Sequence, residues 1–172
     1  MKFVPLLFTL SVFALPVLAF EIEEIGSLHA TFGEESIAQP TVIASQDGEV
    51  SPTAYFMLLG GGMSLLNLSG FQRDNSRFDI SASFMVEVPG PQTVPMEITL
   101  SYSPKGGEYW VSDGAPTPAS VTFTTLDFTD KEGRAAGNFV GELCFSPDYG
   151  STVDSNTCRP IKGSFDSRFF VE

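Results

Sequence analysis

The clearest pattern in this chain is an alternation of apolar and polar residues between positions 78 and 87. Its apolar members are Phe78, Ile80, Ala82, Phe84 and Val86, and its polar members are Asp79, Ser81, Ser83 and Glu87. Successive side chains of a β-strand point to opposite faces of the sheet, so this spacing predicts a strand. One face of that strand should be buried and the other should face solvent.

Shorter runs of the same kind recur along the chain and are separated by turn-forming residues. These runs cover positions 28–32, 41–44, 53–58, 63–68, 96–102, 109–111, 121–125, 139–145 and 161–169. Asp47-Gly48 predicts a turn, and Gly60-Gly61-Gly62 predicts a tight connection between two strands. No window longer than about ten residues keeps apolar positions at the helical period without a glycine or proline. We therefore expect about nine or ten short strands.

The only cysteines of the chain are Cys144, in the run 139–145, and Cys158, just before the run 161–169. If these two residues face each other in an antiparallel hairpin, large residues oppose glycines on the inner face, which avoids steric overlap. The pairs are Gly141 with Ile161 and Phe139 with Gly163. Glu142 and Lys162 then lie diagonally on the outer face, within reach of an opposite-charge contact. A disulfide across a longer loop with an offset register is the alternative.

In an oxidising compartment Cys144 and Cys158 predict one disulfide, which closes a loop of 13 intervening residues. A metal site or a redox pair would use the same two residues. However, His29 is the only histidine, and the spacing is not that of a Cys-x-x-Cys motif. The disulfide is the favoured interpretation.

Many short strands with phenylalanine as the main apolar residue predict an all-β fold. The expected form is an antiparallel two-sheet β-sandwich, immunoglobulin-like or jelly-roll-like. A small closed barrel is the alternative.

The carboxyl-terminal segment also resembles a family of secreted bacterial β-sandwich domains of unknown function, many of them lipoproteins. The members share a late hairpin of the form G-x-F-x-G-x-L-C followed by C-x-x-I-x-G-x-F. The matching segments here are Gly137-Asn138-Phe139-Val140-Gly141-Glu142-Leu143-Cys144 and Cys158-Arg159-Pro160-Ile161-Lys162-Gly163-Ser164-Phe165. The resemblance implies a sandwich and transfers no active site. Because no cysteine directly follows the apolar leader of this chain, the resemblance does not imply a lipid anchor.

Residues 1–19 predict a secretory signal peptide, with Lys2 before the apolar run 3–18 and Ala19 at the cleavage site. A membrane anchor is the alternative, but the run is short and contains Pro5 and Pro16. We expect a mature chain of residues 20–172, folded as one domain, periplasmic or secreted, and monomeric. The formal net charge of −12 disfavours nucleic-acid binding and adsorption to anionic lipid.

Ligand binding is predicted at the amphipathic aromatic residues Tyr102, Tyr109, Trp110 and Tyr149, which stack on sugar rings in sandwich lectins. The alternative is that Trp110 fills the core. Calcium is the one cofactor that the sequence suggests, because carboxylates gather in two turns. These candidate ligands are Asp127, Asp130, Glu132, Asp148 and Asp154.

Catalysis is the weaker hypothesis, since a Ser-His-Asp arrangement would depend entirely on His29, which should lie in solvent. A hydrolase would otherwise need paired carboxylates. The favoured function is a non-catalytic binding or accessory module for a protein or a glycan. The other non-catalytic alternative is a structural surface subunit that assembles by strand exchange.

Overall fold

The computed structural model describes residues 21–46, 49–105, 107–147 and 152–172. The predicted signal peptide, the turn at Asp47-Gly48, Asp148 and Tyr149 lie outside these residues. The described residues form eleven strands and no helix. They therefore contain no helix that is long and apolar enough to cross a membrane. The strands are β1 (Glu21–Phe32), β2 (Glu35–Gln46), β3 (Glu49–Pro52), β4 (Ala54–Gly60), β5 (Met63–Ser69), β6 (Arg77–Phe84), β7 (Glu97–Ser103), β8 (Tyr109–Val111), β9 (Ser120–Phe128), β10 (Glu132–Ser146) and β11 (Asp154–Val171).

The strands form one continuous hydrogen-bonded ladder in the order β3-β2-β1-β11-β4-β5-β6-β7-β8-β10-β9, and a β10–β11 pairing closes it. The all-β class is confirmed, but the structure has eleven strands and one large mixed sheet instead of two separate antiparallel ones. The single parallel contact among the described pairings joins β11 to β4 at Tyr55–Phe170 and Phe56–Val171.

The two longest strands explain why the sheet is continuous. β10 pairs with β9 over residues 133–140 and with β8 over residues 144–146. β11 pairs with β1 over residues 161–167 and with β4 over residues 170–171. Because each of these long strands changes its partner along its length, it connects different parts of the sheet. The alternation of apolar and polar residues does not show where such a change of partner occurs.

The core lies between the strands β4–β8 and the strands β1 and β9–β11. Phe78 of β6 contacts Phe139 of β10, with ring centroids 5.3 Å apart. Phe56 of β4 contacts Phe128 of β9 at 4.6 Å. These strands are not hydrogen-bonded neighbours, so the sheet folds back and buries phenylalanines between its two parts. Burial of this apolar area is the main stabilising contribution.

The register of the final hairpin agrees with the prediction. Cys144 pairs with Cys158, Phe139 with Gly163 and Gly141 with Ile161, and the disulfide is present. A side chain at Gly163 would collide with the His29 carbonyl and the Phe139 ring. The carboxylate of Glu142 accepts a hydrogen bond from the Thr117 N–H (3.2 Å).

The alternation that predicted β6 is largely confirmed. Phe78, Ile80, Ala82 and Phe84 are buried, but β6 ends at Phe84 and Val86 is 40% exposed. The Ser64 hydroxyl donates a hydrogen bond to the Val86 carbonyl (2.6 Å), after the chain has left the ladder. The connection at Gly60-Gly61-Gly62 is also confirmed. All three glycines have φ between 63° and 80°, a region that other residues rarely adopt.

Candidate functional site

Two of the predicted aromatic ligand residues lie in the core. Trp110 is 3% exposed and Tyr102 is 4% exposed. The Trp110 ring packs against Phe32 (5.1 Å between centroids), and the Arg159 guanidinium carbon lies 4.6 Å from the Trp110 ring centroid. Neither residue offers an exposed stacking surface, so the predicted role of these two rings is wrong. The alternative, Trp110 as a core residue, is confirmed.

The hydroxyl group of Tyr102 forms a hydrogen bond with an acidic side chain. Its hydroxyl donates a hydrogen bond to Glu35 Oε1 (2.6 Å). Burial, followed by the hydrogen bond to Glu35, raises the pKa of the Tyr102 phenol far above its usual range. Tyr102 therefore acts here as a hydrogen-bond donor and a packing residue.

Tyr109 has the opposite orientation, because β8 alternates and Trp110 points inward. It lines a depression on the outer face of β5–β8, which we call the polar groove. The other lining residues are Asn67, Arg77, Asp79, Ser81, Thr99, Ser101 and Ser103. They share a face because each alternates with buried apolar residues of the same strand.

Hydrogen bonds hold the polar side chains at one end of the groove. Arg77 Nε donates to Asp79 Oδ1 (2.7 Å), and Arg77 Nη2 donates to Ser69 Oγ (3.0 Å). The Asn67 amide also donates to Ser69 Oγ (3.0 Å), and the Ser101 hydroxyl donates to Asp79 Oδ2 (3.4 Å). These contacts place the Asn67 amide, the guanidinium and the carboxylate in fixed relative positions.

Most groove positions are more buried than the outward positions of the other part of the sheet, although Arg77 is exposed. Asn67, Asp79, Ser81 and Thr99 are each partly buried although they face outward. The outward residues of β1 and β9–β11 form what we call the exposed face. Residues 29, 31, 120, 122, 124, 134, 138, 140, 162, 164, 166 and 168 of this face are exposed.

His29 lies on the exposed face, as predicted, and its Cα partner on β11 is Ser164. The depression beside His29 is lined by Ser36, Asn138, Lys162 and Ser164, among others. None of the described residues that line it is an acid. A Ser-His-Asp arrangement would have to recruit its carboxylate from elsewhere.

The described calcium candidates do not converge. No group of three or more His, Cys, Asp or Glu side chains suited to a metal occurs among the described residues. Asp154 accepts hydrogen bonds from the Thr157 hydroxyl (2.7 Å) and the Asn156 N–H (3.0 Å). These bonds lower the pKa of its carboxyl, which acts locally to hold a turn. Glu132 lies 3.9 Å from an Arg168 nitrogen.

A second surface, which the sequence interpretation missed, lies at one end of β4–β7. Nine large hydrophobic residues are exposed in the described part of the chain, and seven of them lie either at the end of β4, beside the β4–β5 turn, or in the loop between β6 and β7. We call these seven the apolar tip: Leu58, Leu59, Met85, Val86, Val88, Val94 and Met96.

The β4–β5 turn and the β6–β7 loop, which carry the apolar tip, are neighbours in the structure. Ser64, just after the β4–β5 turn, pairs with Leu58 on one side and Phe84 on the other. Met96 donates its N–H to the Ser83 carbonyl (2.8 Å), which brings the end of the second loop back to β6. The available sequence signal was consecutive apolar residues beside a glycine- or proline-rich turn, where alternation stops. For the groove the signal was Arg77-x-Asp79, two opposite charges on the same strand face.

Comparison with models of protein families, with curated proteins and with solved structures found no match to this chain.

Proposed function

We propose that this chain is an exported, non-catalytic binding domain that docks onto a partner protein through the apolar tip. The observation that carries this proposal is that seven of the nine large hydrophobic residues exposed in the described chain lie at the end of β4 or in the neighbouring β6–β7 loop. Single exposed apolar residues are ordinary, whereas a contiguous group on a water-exposed end marks an interaction surface. Two of the seven are methionines, whose flexible side chains adapt to a partner surface.

The charges around the apolar tip define the chemistry of the partner. Residues 54–72 contain no charged side chain, and residues 78–104 contain no Lys or Arg. Glu87 and Glu97, both exposed, are the acids nearest to the tip in sequence. A matching surface is therefore apolar at its centre and carries Lys or Arg at its rim.

The same proposal includes a two-layer sandwich and an oxidising compartment. Ring contacts between Phe78 and Phe139, and between Phe56 and Phe128, support two layers with a shared core. The Cys144–Cys158 bond supports export, because disulfides persist mainly outside the reducing cytosol. Leading residues 1–19 would direct that export.

A structural subunit that assembles by strand exchange is the second candidate. It would use β9, which pairs only with β10 among the described strands and forms one end of the ladder. A bulge at Thr124 divides β9 into two short halves, and such bulges discourage edge pairing. The geometry therefore favours docking through the tip.

Site-specific photo-crosslinking in the producing cells tests the proposal. A photoreactive residue at position 88 should give one discrete crosslinked product with a single protein. The matched control is position 140, because Val140 is also an exposed valine (55% against 70% for Val88) but lies on the exposed face. The partner is identified by mass spectrometry of the crosslinked product.

The variant Val88→Ser/Val94→Ser should then reduce the crosslink from position 85 by about tenfold or more, as expected for loss of central contacts. Val140→Ser should leave it unchanged. Equal crosslinking from positions 88 and 140, or none from either, would contradict docking through the tip.

A further inference from the structure

The polar groove offers hydrogen-bond donors and acceptors in nearly equal measure. Arg77 and the Asn67 amide group donate, Asp79 and the Asn67 carbonyl accept, and the hydroxyls of Ser81, Thr99 and Ser103 do both. A ligand that pairs with such a surface must itself donate and accept at short intervals. Sugar hydroxyl groups have this property.

The groove is also arranged before any ligand arrives. Arg77 is held by Asp79 and Ser69, and the Asn67 amide is held by the same Ser69 hydroxyl. Side chains that are already ordered lose less conformational entropy on binding. On the exposed face, Arg134 and Asp166 form a comparable ion pair, but the Asp166 side chain is 53% exposed, against 20% for Asp79.

The charge of the groove points to an uncharged ligand. Among the described residues that line it, Arg77 and Asp79 are the only charged ones, and their charges cancel. A phosphate, sulfate or uronate group would therefore meet one attractive and one repulsive charge. A neutral ligand can instead hydrogen-bond to both, and hydrogen bonds to charged groups are the stronger kind.

Tyr109 supplies an apolar surface beside these polar groups. Its side chain is partly buried on the same outer face, whereas its neighbour Trp110 points into the core. An aromatic ring packs against the C–H face of a sugar while its hydroxyl stays polar. The groove crosses four strands, β5 to β8, which at three interstrand spacings is about 14 Å, enough for more than one sugar ring.

We propose that the polar groove binds an uncharged oligosaccharide or polysaccharide chain. Asp79, Arg77 and Asn67 hydrogen-bond to its hydroxyl groups, and Tyr109 packs on a ring face. This site lies on a different surface from the apolar tip and does not depend on docking there. Of the four aromatic residues suggested by the sequence, Tyr109 is the one that the groove retains.

Affinity electrophoresis tests the proposal. The mature protein is run through native gels that contain dextran, galactomannan, xyloglucan, laminarin or yeast mannan, with alginate as the anionic counterpart. At least one neutral polysaccharide should retard the protein, with little change on adding salt, and alginate should not. Asp79→Ala and Arg77→Ala should each weaken the retardation by tenfold or more.

The matched control is Arg134→Ala, which removes the guanidinium of the comparable ion pair on the exposed face and should leave the retardation unchanged. If Asp79→Ala unfolds the protein, Tyr109→Ala provides a second groove variant, and circular dichroism checks the fold of each. Three results would overturn the proposal: no retardation by any neutral polysaccharide, stronger retardation by alginate, or equal losses for groove and control variants.

Discussion

The outer faces of the two parts of the sheet are built from similar residues but present them differently. Both carry serine, threonine and asparagine, and both carry one arginine–aspartate pair. In the polar groove the aspartate side chain is 20% exposed, whereas on the exposed face it is 53% exposed. The two pairs therefore differ in how far the aspartate is withdrawn from solvent, whereas their arginines are equally exposed (60% and 59%).

This difference matters because the strands of both outer faces pack their inner faces against the same core. Phe78 lies under the groove on β6 and Phe139 lies under the exposed face on β10, and their rings meet. We therefore expect a change on one inner face to affect the other part of the sheet. The two outer faces should gain or lose their structure together.

The largest expected effect follows from removing that contact. Phe78→Ala deletes a ring that is fully buried and should lower the free energy of unfolding by about 4 kcal/mol, through lost transfer energy and the cavity left behind. Phe139→Ala should cost a similar amount, and the double variant should cost less than the sum because the rings share one contact. Urea denaturation monitored by circular dichroism measures all three.

Strict additivity of the two substitutions would contradict a shared core, and two separate unfolding transitions in the wild type would contradict a single cooperative unit. Val140→Ser is the control, because Val140 lies on β10 beside Phe139 but points away from the core. Its effect should be within about 0.5 kcal/mol.

Loss of the disulfide has the next largest expected effect. The double variant Cys144→Ser/Cys158→Ser opens a loop of 13 residues and should lower the free energy of unfolding by about 3 kcal/mol in the chain-entropy model. The bond joins β10 and β11, both of which contribute to the exposed face. Measurement of the urea midpoint for the wild type, the variant and the reduced wild type gives the effect.

Because the two parts of the sheet share a core, retardation by polysaccharide should disappear at the same urea concentration as the circular dichroism signal in both proteins. If the polar groove still bound polysaccharide after β10 and β11 had unfolded, the polar groove and the exposed face would be independent of each other. An unchanged midpoint in the double variant would contradict the stabilising role of the bond.

The local features of the fold were predictable from the sequence, whereas its closure was not. Alternation located β6, and the pairing of large residues with glycines identified the register of the final hairpin. These predictions depend on contacts between adjacent strands. The parallel contact of β11 with β4 and the change of partner along β10 depend on how far a long strand bends. The alternation of apolar and polar residues carries no information about this bend.

For the candidate site, the sequence predicts only that consecutive side chains of a strand point to opposite faces of the sheet. Trp110 and Tyr109 are consecutive in β8, so one of them must point inward, but the sequence alone does not say which. The grouping of Asn67, Arg77 and Tyr109 requires strands β5, β6, β7 and β8 to follow one another in the sheet. The apolar tip arises because the β4–β5 turn and the β6–β7 loop lie at the same end of these strands.

The smallest expected effect concerns the ion pair on the exposed face. Hydrogen bonds from Arg134, at 2.9 and 2.7 Å, lower the pKa of the Asp166 carboxyl below its unfolded value of about 3.9. A carboxyl with a lowered folded pKa stabilises the protein above the unfolded pKa, and this contribution is lost as pH falls through the folded pKa. Because Asp166 is half exposed, screening by solvent limits the contribution to about 0.5 kcal/mol.

Comparison of wild type with Asp166→Asn by urea denaturation between pH 5 and pH 2 measures this contribution, since the variant should show the shallower loss of stability. High salt should remove the difference between the two proteins, because both partners are reached by solvent. Val140→Ser, on the same face, should follow the wild-type pH curve. If Asp166→Asn proved as costly at pH 6 as the loss of the disulfide, the pair would be part of a built site, and the contrast between the two outer faces would fail.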